Sequence, residues 1–348
     1  MRFLKLLILF IFSSASIFAA EKNFATALPD ISFIGVAGVR TYIDSNENKD
    51  VSFTFDSFEI NAMGYMHPNV RADFVFGAHS HEGNIEFEVE EAYATFSNLS
   101  FSTGVKVGRK LLDFGRINHI HSHEWLFLNA PFVYSNFLGE HSLLGDGAVV
   151  DVLLPFPFFM NVQAGIWRIP THEHSEEEET QPFSPAGEIY NIRLWSSFEV
   201  GENSELEFGM SGLKGHGSHY TSHTDRIQMA GADITFKTWP SAYSRIMLLA
   251  EVVYLERELP IGFIGRWGMY VYLGYRIDKQ WETAIKYDWS ETANPEDEKK
   301  SGISLIGSYY ISESLKLRSE YLYCPEMQSH TGLIKVIFGI GPHTHPLQ

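Results

Sequence analysis

Fifteen histidines occur in the chain, and most stand in clusters beside carboxylates. "AHSHEG" sets His79 and His81 two apart; "NHIHSHEW" sets His119, His121 and His123 in alternation and closes with Glu124. "FLGEH" adds Glu140 and His141, "THEHSEEEE" places His172 and His174 before four glutamates, and "HGSHYTSH" holds His216, His219 and His223. On an extended strand, His-x-His puts two imidazoles on one face about 7 Å apart, near enough to share a divalent ion. Imidazole with carboxylate suits Zn²⁺ and similar borderline ions. Neither CxxC nor HExxH occurs, so no motif fixes a closed or catalytic zinc site, and no cofactor is required. Zn²⁺ or a related ion is expected as ligand or cargo. Taken singly, each histidine also reads as an ordinary polar loop residue, and "THEHSEEEE" as a solvated acidic loop.

Enzyme signatures are otherwise missing. There is no Walker loop and no G-x-S-x-G, and the glycines of "GMSGLKG" at 209–215 lack the strand-to-helix context of a phosphate loop. No nucleophile has an evident base, so an enzyme is not expected.

The opening "MRFLKLLILFIFSSASIFAA", residues 1–20, reads as a secretory signal peptide: Arg2 and Lys5, a short apolar core, then small residues. The formal charge of −17 falls by two further units, to −19, when Arg2 and Lys5 leave. Such acidity disfavours nucleic acid as a partner and concentrates cations instead. Cys324 is the sole cysteine, which excludes an intramolecular disulfide.

The elements that must position the histidines are strands. In "VRADFVFGAH", Val70, Ala72, Phe74, Phe76 and Ala78 oppose Arg71, Asp73, Gly77 and His79; in "WETAIKYDW", Trp281, Ile285, Tyr287 and Trp289 oppose Glu282, Lys286 and Asp288. A soluble sandwich would also alternate with period two. Charge in mid-strand on one face, with aromatics at the ends of the other, favours a membrane barrel with a lipid-facing band and a wet, charged lumen. The pattern predicts strands over 31–43, 51–65, 70–79, 84–96, 101–110, 147–154, 158–168, 189–199, 205–214, 226–237, 245–256, 265–275, 280–289, 301–311, 315–323 and 331–340. That makes an all-β, transmembrane antiparallel β-barrel of sixteen strands over residues 21–348; a missed or split strand would make it fourteen or eighteen. Connections alternate short and long, as periplasmic turns and external loops do. Glu91 and Ser57 break the alternation, and β-bulges would restore it. Twelve of the fifteen histidines then fall on the external side.

The block "GRKLLDFGRINHIHSHEWLFLNAPFVYSNFLGEHSLLGDGAVVDVLLP", residues 108–155, with "LPDISFIG" at 28–35 and "GPHTHP" at 341–346, resembles the porin-like outer-membrane proteins known as zinc-regulated outer-membrane receptors, themselves distantly similar to phosphate-selective porins. The resemblance implies an outer-membrane barrel linked to divalent-metal acquisition, with Arg116, Asn118, His121, His123, Glu140 and His141 at matching positions. An energised receptor needs a plug domain and a larger barrel, and this chain has room for neither.

The expectation is therefore a porin-like channel in the outer membrane of a Gram-negative-type bacterium, cation-favouring and linked to zinc or another divalent metal. Its partners are outer-membrane lipid and small solutes, and a homotrimer is compatible with it. Residues 111–146 form the third external loop, which in sixteen-stranded porins folds inward to set the constriction, here with Arg116, Asn118 and Glu140. "WLFLNAPFVY" is too apolar to stand in water and should pack on the wall. Two alternatives stay open. One is a metal-capturing surface protein with an occluded barrel; the other is an anion porin using Arg109, Lys110 and Arg116.

Overall fold

The computed structural model describes residues 29–46, 48–81, 84–139, 142–169, 183–218, 225–260, 262–294 and 298–342. The signal peptide and Glu140, His141, His172, His174, His219 and His223 lie outside the described residues, as does the side chain of His81.

Sixteen strands are present among the described residues: β1 Asp30–Ile43, β2 Lys49–His67, β3 Val70–His81, β4 Asn84–Leu99, β5 Thr103–Leu111, β6 Leu144–Leu153, β7 Phe159–Ile169, β8 Pro185–Glu199, β9 Ser204–Gly217, β10 Arg226–Thr238, β11 Arg245–Leu259, β12 Gly262–Arg276, β13 Trp281–Ser290, β14 Lys300–Ser312, β15 Leu315–Cys324 and β16 Ser329–Ile340. Each pairs antiparallel with its sequence neighbours, and β1 pairs with β16, so the sheet closes without an edge. All sixteen expected segments are strands. Several run longer than the alternation suggested, β2 and β12 at both ends and β8 at its start, because ladder bonding continues beyond the lipid-facing band. β5 instead begins two residues late, since Phe101 and Ser102 take positive φ in the preceding turn.

Outward positions carry the apolar residues that lipid requires. Phe53, Phe74, Phe87 and Ile285 are exposed, and Trp281 packs on Tyr309 with ring centroids 4.6 Å apart. The two misfits resolve as bulges. Ser57 pairs with Val36 but Phe55 with Ala37, which leaves Asp56 as the extra residue. Glu91 pairs with Val75 but Val89 with Phe76, which leaves Glu90 extra. Each insertion keeps the lipid face apolar on both sides of it while two consecutive polar residues turn inward.

The lumen departs from the wet, charged interior that the alternation implies. The third loop, residues 112–143, folds into the barrel and builds an apolar core there: its Leu112, Phe114, Phe127, Val133 and Phe137 cluster with wall residues such as Ile189, Leu249, Leu255 and Tyr270. A single helix of six residues, α1 (Phe132–Phe137), lies within this loop and packs on β12 and β13. Wall side chains of β8, β9, β11, β13 and β15 also bind the loop's backbone. Asn191 donates to the Asp113 carbonyl (2.7 Å), Lys286 to that of Asn129 (2.8 Å) and Arg318 to that of Trp125, while Glu251 accepts from the Arg116 amide (3.2 Å) and Asp288 from that of Phe132 (3.1 Å). These bonds give buried loop amides and carbonyls the partners that water would otherwise supply. Gly115 permits the turn: its φ is +60°, and a Cβ would collide with the Glu251 carboxylate and the Tyr134 hydroxyl.

Candidate metal centre

The polar half of the third loop faces β2, β3 and β4. After the turn at 115–119 the chain extends at His121 (φ −61°, ψ 145°) and makes one 3₁₀ turn, Ser122–Glu124. This combination sends His121 and His123 toward the same wall, their rings stacked at 5.8 Å. The wall supplies carboxylates from two strands, Glu59 on β2 and Glu88, Glu90 and Glu91 on β4, the last two at the bulge. Without the extra residue, Glu90 and Glu91 would point to opposite faces.

The contacts form a connected set. His121 Nδ1 lies 2.9 Å from Glu90 Oε2 and 3.7 Å from Glu59 Oε2, and its Nε2 is 3.5 Å from Glu91 Oε2. His79 Nε2 contacts the other oxygen of Glu90, Oε1, and lies 3.7 Å from Glu88. His123 Nδ1 binds Glu59 Oε1 at 3.0 Å, and Glu124 stands 3.9 Å from its Nε2. Glu59 is only 1% exposed, and its Oε2 accepts no hydrogen bond. Burial opposes charge on His121, but hydrogen bonds to Glu90 and Glu91 and the charge of Glu59 prevail and raise its pKa well above the ordinary histidine range.

Two trios can each converge ligand atoms on one cation, Glu59 with Glu90 and His121, and His79 with Glu88 and Glu90; in each, the atoms lie within 4.8 Å of one another. The outer shell is also in place. Glu91 accepts from the Leu111 amide at 3.1 Å and sits at the second nitrogen of His121, while His123 holds the second oxygen of Glu59, the supports that metal ligands ordinarily have.

The other expected residues are placed elsewhere. His119 turns toward Asp113, Lys110, Arg116 and Arg193; burial, opposed by Asp113 and reinforced by these cations, pushes its pKa down to about 3. His-x-His alternation assumes an extended strand, and the 115–119 turn breaks it. His81 ends β3, paired with Asn84. His216 lies on β9, paired with Arg226 and Ala186, outside the cluster. Asn118 does not line a passage: fully buried, it bonds the Leu112 and Leu143 carbonyls (2.8 and 3.1 Å) and the Leu143 amide (2.7 Å), tying the loop's two ends together. Arg116 is buried and paired with Glu207 at 3.2 Å. Arg109 lies on the outward register with Val107 and binds Asp146 at 2.7 Å, so it stands away from any constriction. Glu59, Glu88 and Glu90 escaped sequence reasoning. The available signal was the broken alternation in "EFEVEEAYATF", which marked the bulge but not what it faced.

Beside the cluster is a cavity of about 460 Å³, lined by Asn61, Arg71, Asp73, Tyr93, Lys106 and His119 among others. Its lining includes five basic and five acidic residues. Most of the cations are paired, Arg71 with Asp73, Lys110 with Asp113, Arg193 with Asp233 and Arg116 with Glu207.

A closed sixteen-stranded barrel with an apolar outer band and an inward third loop is of the outer-membrane porin type, and its place is the outer membrane of a Gram-negative-type bacterium. Solved structures agree on the fold. An anion-selective porin from Comamonas acidovorans superposes with a TM-score of 0.61 at 10% identity, covering 90% of this chain and 100% of that one. OprB from Pseudomonas putida gives 0.60 at 9% identity over 90% and 94%, and the outer-membrane channel DcaP of Acinetobacter baumannii 0.58 at 10% over 92% and 100%. No family model matches the sequence. An uncharacterized protein of Aquifex aeolicus is 31% identical over 224 residues, 58% of this chain and 47% of that relative, so the chain spans about half the length of the curated relative it matches.

Proposed function

We propose that the protein is a porin-like channel that favours cations and coordinates divalent metal, Zn²⁺ or a similar ion, where the third loop meets the β2–β4 wall. The observation that carries this is the convergence of Glu59, Glu90 and His121. Buried carboxylates with imidazole suit borderline divalent ions, and Glu59 Oε2 lies unbonded within the cluster. Cations near the adjoining cavity are mostly neutralised by partners, whereas Glu59, Glu88, Glu90 and Glu91 crowd a few ångströms, which supports cation over anion preference. Conduction asks such a site to bind and then release. The resemblance to zinc-regulated outer-membrane receptors points the same way. A homotrimer is the assembly we expect; one of the similar folds, OmpT of Vibrio cholerae, is described in a trimer form.

A second reading has its own support. The loop's apolar core fills the lumen against much of the wall, which favours a barrel that captures metal at its mouth without conducting. Planar-bilayer recordings separate the two. Cation-selective current reduced by micromolar Zn²⁺, with the reduction weakened by replacing His121 and His123 with alanine, is expected. Zinc binding without current would favour capture. Anion-selective current would overturn both and favour an anion porin.

A further inference from the structure

We infer that the centre holds two divalent ions at once, with Glu90 as the bridging carboxylate; this rests on the metal reading above and extends it. The two oxygens of Glu90 serve different partners. Oε1 meets His79, which also faces Glu88, whereas Oε2 meets His121, which also faces Glu59. The two trios therefore share one residue but no ligand atom. A carboxylate used through both oxygens spans paired metals, which in such sites stand about 3.5–4 Å apart.

The two positions differ in exposure. Glu88 has a side chain 55% exposed and His79 one 26% exposed, while Glu59 is 2% exposed. The His79–Glu88 position is thus the entry and the Glu59–His121 position the interior. The interior one is supported from both sides, with His123 on Glu59 and Glu91 on His121. The buried, unbonded Glu59 Oε2 is directed into that interior position and is an independent sign that a cation completes it. An ion arriving at the outer position would share Glu90 with the ion inside, weaken its hold and promote its release, the succession by which adjacent sites reconcile binding with passage. Why one glutamate should be an inserted bulge residue then has an answer, since insertion sets Glu90 between His79 and the loop.

The test is Zn²⁺ binding to the intact detergent-solubilised barrel by equilibrium dialysis against a competing chelator, read as ions lost per variant. Glu88→Ala, at a position whose side chain is largely exposed, should lose one ion. Glu59→Gln should lose one, and Glu90→Gln should weaken both by at least tenfold. With Mn²⁺ as probe, electron paramagnetic resonance should give the multiline signal of an exchange-coupled pair, which Glu88→Ala converts to that of an isolated ion. If Glu59→Gln loses an ion but Glu88→Ala loses none, or if Mn²⁺ shows only isolated-ion spectra, the second ion is overturned and the single metal centre stands. If neither variant changes zinc binding, both readings fail.

Discussion

Against β8–β15 the third loop is held by apolar packing and by wall groups that each find a backbone partner, whereas against β2–β4 it meets a crowd of like-charged carboxylates. The first contact is made by protein groups on both sides. Lys286, fully buried, illustrates it: its ammonium donates to the Asn129 carbonyl, lies 3.4 Å from both Asp288 and Glu320, and stands 4.5 Å from the centre of the Phe127 ring. The second contact gathers more carboxylates, Glu59, Glu88, Glu90 and Glu91, than its three imidazoles, His79, His121 and His123, can balance. One side therefore fixes the loop, and the other can spend its geometry on recognition.

If that division holds, the largest stability effects come from the fixed side. Phe127→Ala removes a ring that packs on Trp125, Tyr270 and Tyr272. It should cost about 3–5 kcal/mol. Lys286→Met leaves Glu320 and Asp288 buried without their cation and should cost a similar ~3–5 kcal/mol. Thermal unfolding followed by circular dichroism and by heat-dependent gel mobility measures both. A loss below about 1 kcal/mol for each would mean that the loop is not anchored there. Asn118→Ala comes next, at about 1–3 kcal/mol for the Leu143 amide it leaves unpaired. It should also broaden single-channel current noise, because the loop's neck loosens.

On the β2–β4 side the larger effect should fall on metal. Replacing His121 and His123 together with alanine leaves Glu59, Glu90 and Glu91 without their buried imidazole partners and is expected to destabilise the metal-free protein. The same change should weaken zinc block of the channel at least tenfold. His119→Ala serves as the contrast, because the charges that act on His119 are those of Asp113, Arg193, Lys110 and Arg116, and it belongs to neither ligand trio. It should leave zinc block unchanged. Equal effects of His119 and His121 would erase the distinction that the turn at 115–119 creates.

Much of the barrel was legible because lipid on one side and polar lumen on the other impose a strict period of two, which a single sequence displays. Even the two interruptions pointed to real bulges at Asp56 and Glu90. The site was half legible. His79, His121 and His123 stood out by residue type and spacing, but their partners did not. Glu59 lies 62 positions from His121, and only closure of the sheet together with the inward fold of the loop brings them together. The alternation rule also misled where the chain is not a strand, as at His119, and it gave no warning that inward positions on β8–β14 would be apolar. Those residues look outward-facing or neutral until the loop that covers them is known.

The smallest effect belongs to the outer face, where Arg109 and Asp146 pair across β5 and β6. Their hydrogen bonds are bidentate, at 2.7 and 2.9 Å, yet the side chains are 34% and 52% exposed. Exposed ion pairs contribute about 0–1 kcal/mol after screening. Arg109→Gln should therefore shift unfolding by less than about 1 kcal/mol. Its value lies in selectivity. An anion channel built on Arg109 would lose preference when the charge is removed, whereas a pair on the outward register leaves the reversal potential in a salt gradient where it was. A reversal potential moved toward cations by Arg109→Gln would return this arginine to the pore and count against the register that places it outside.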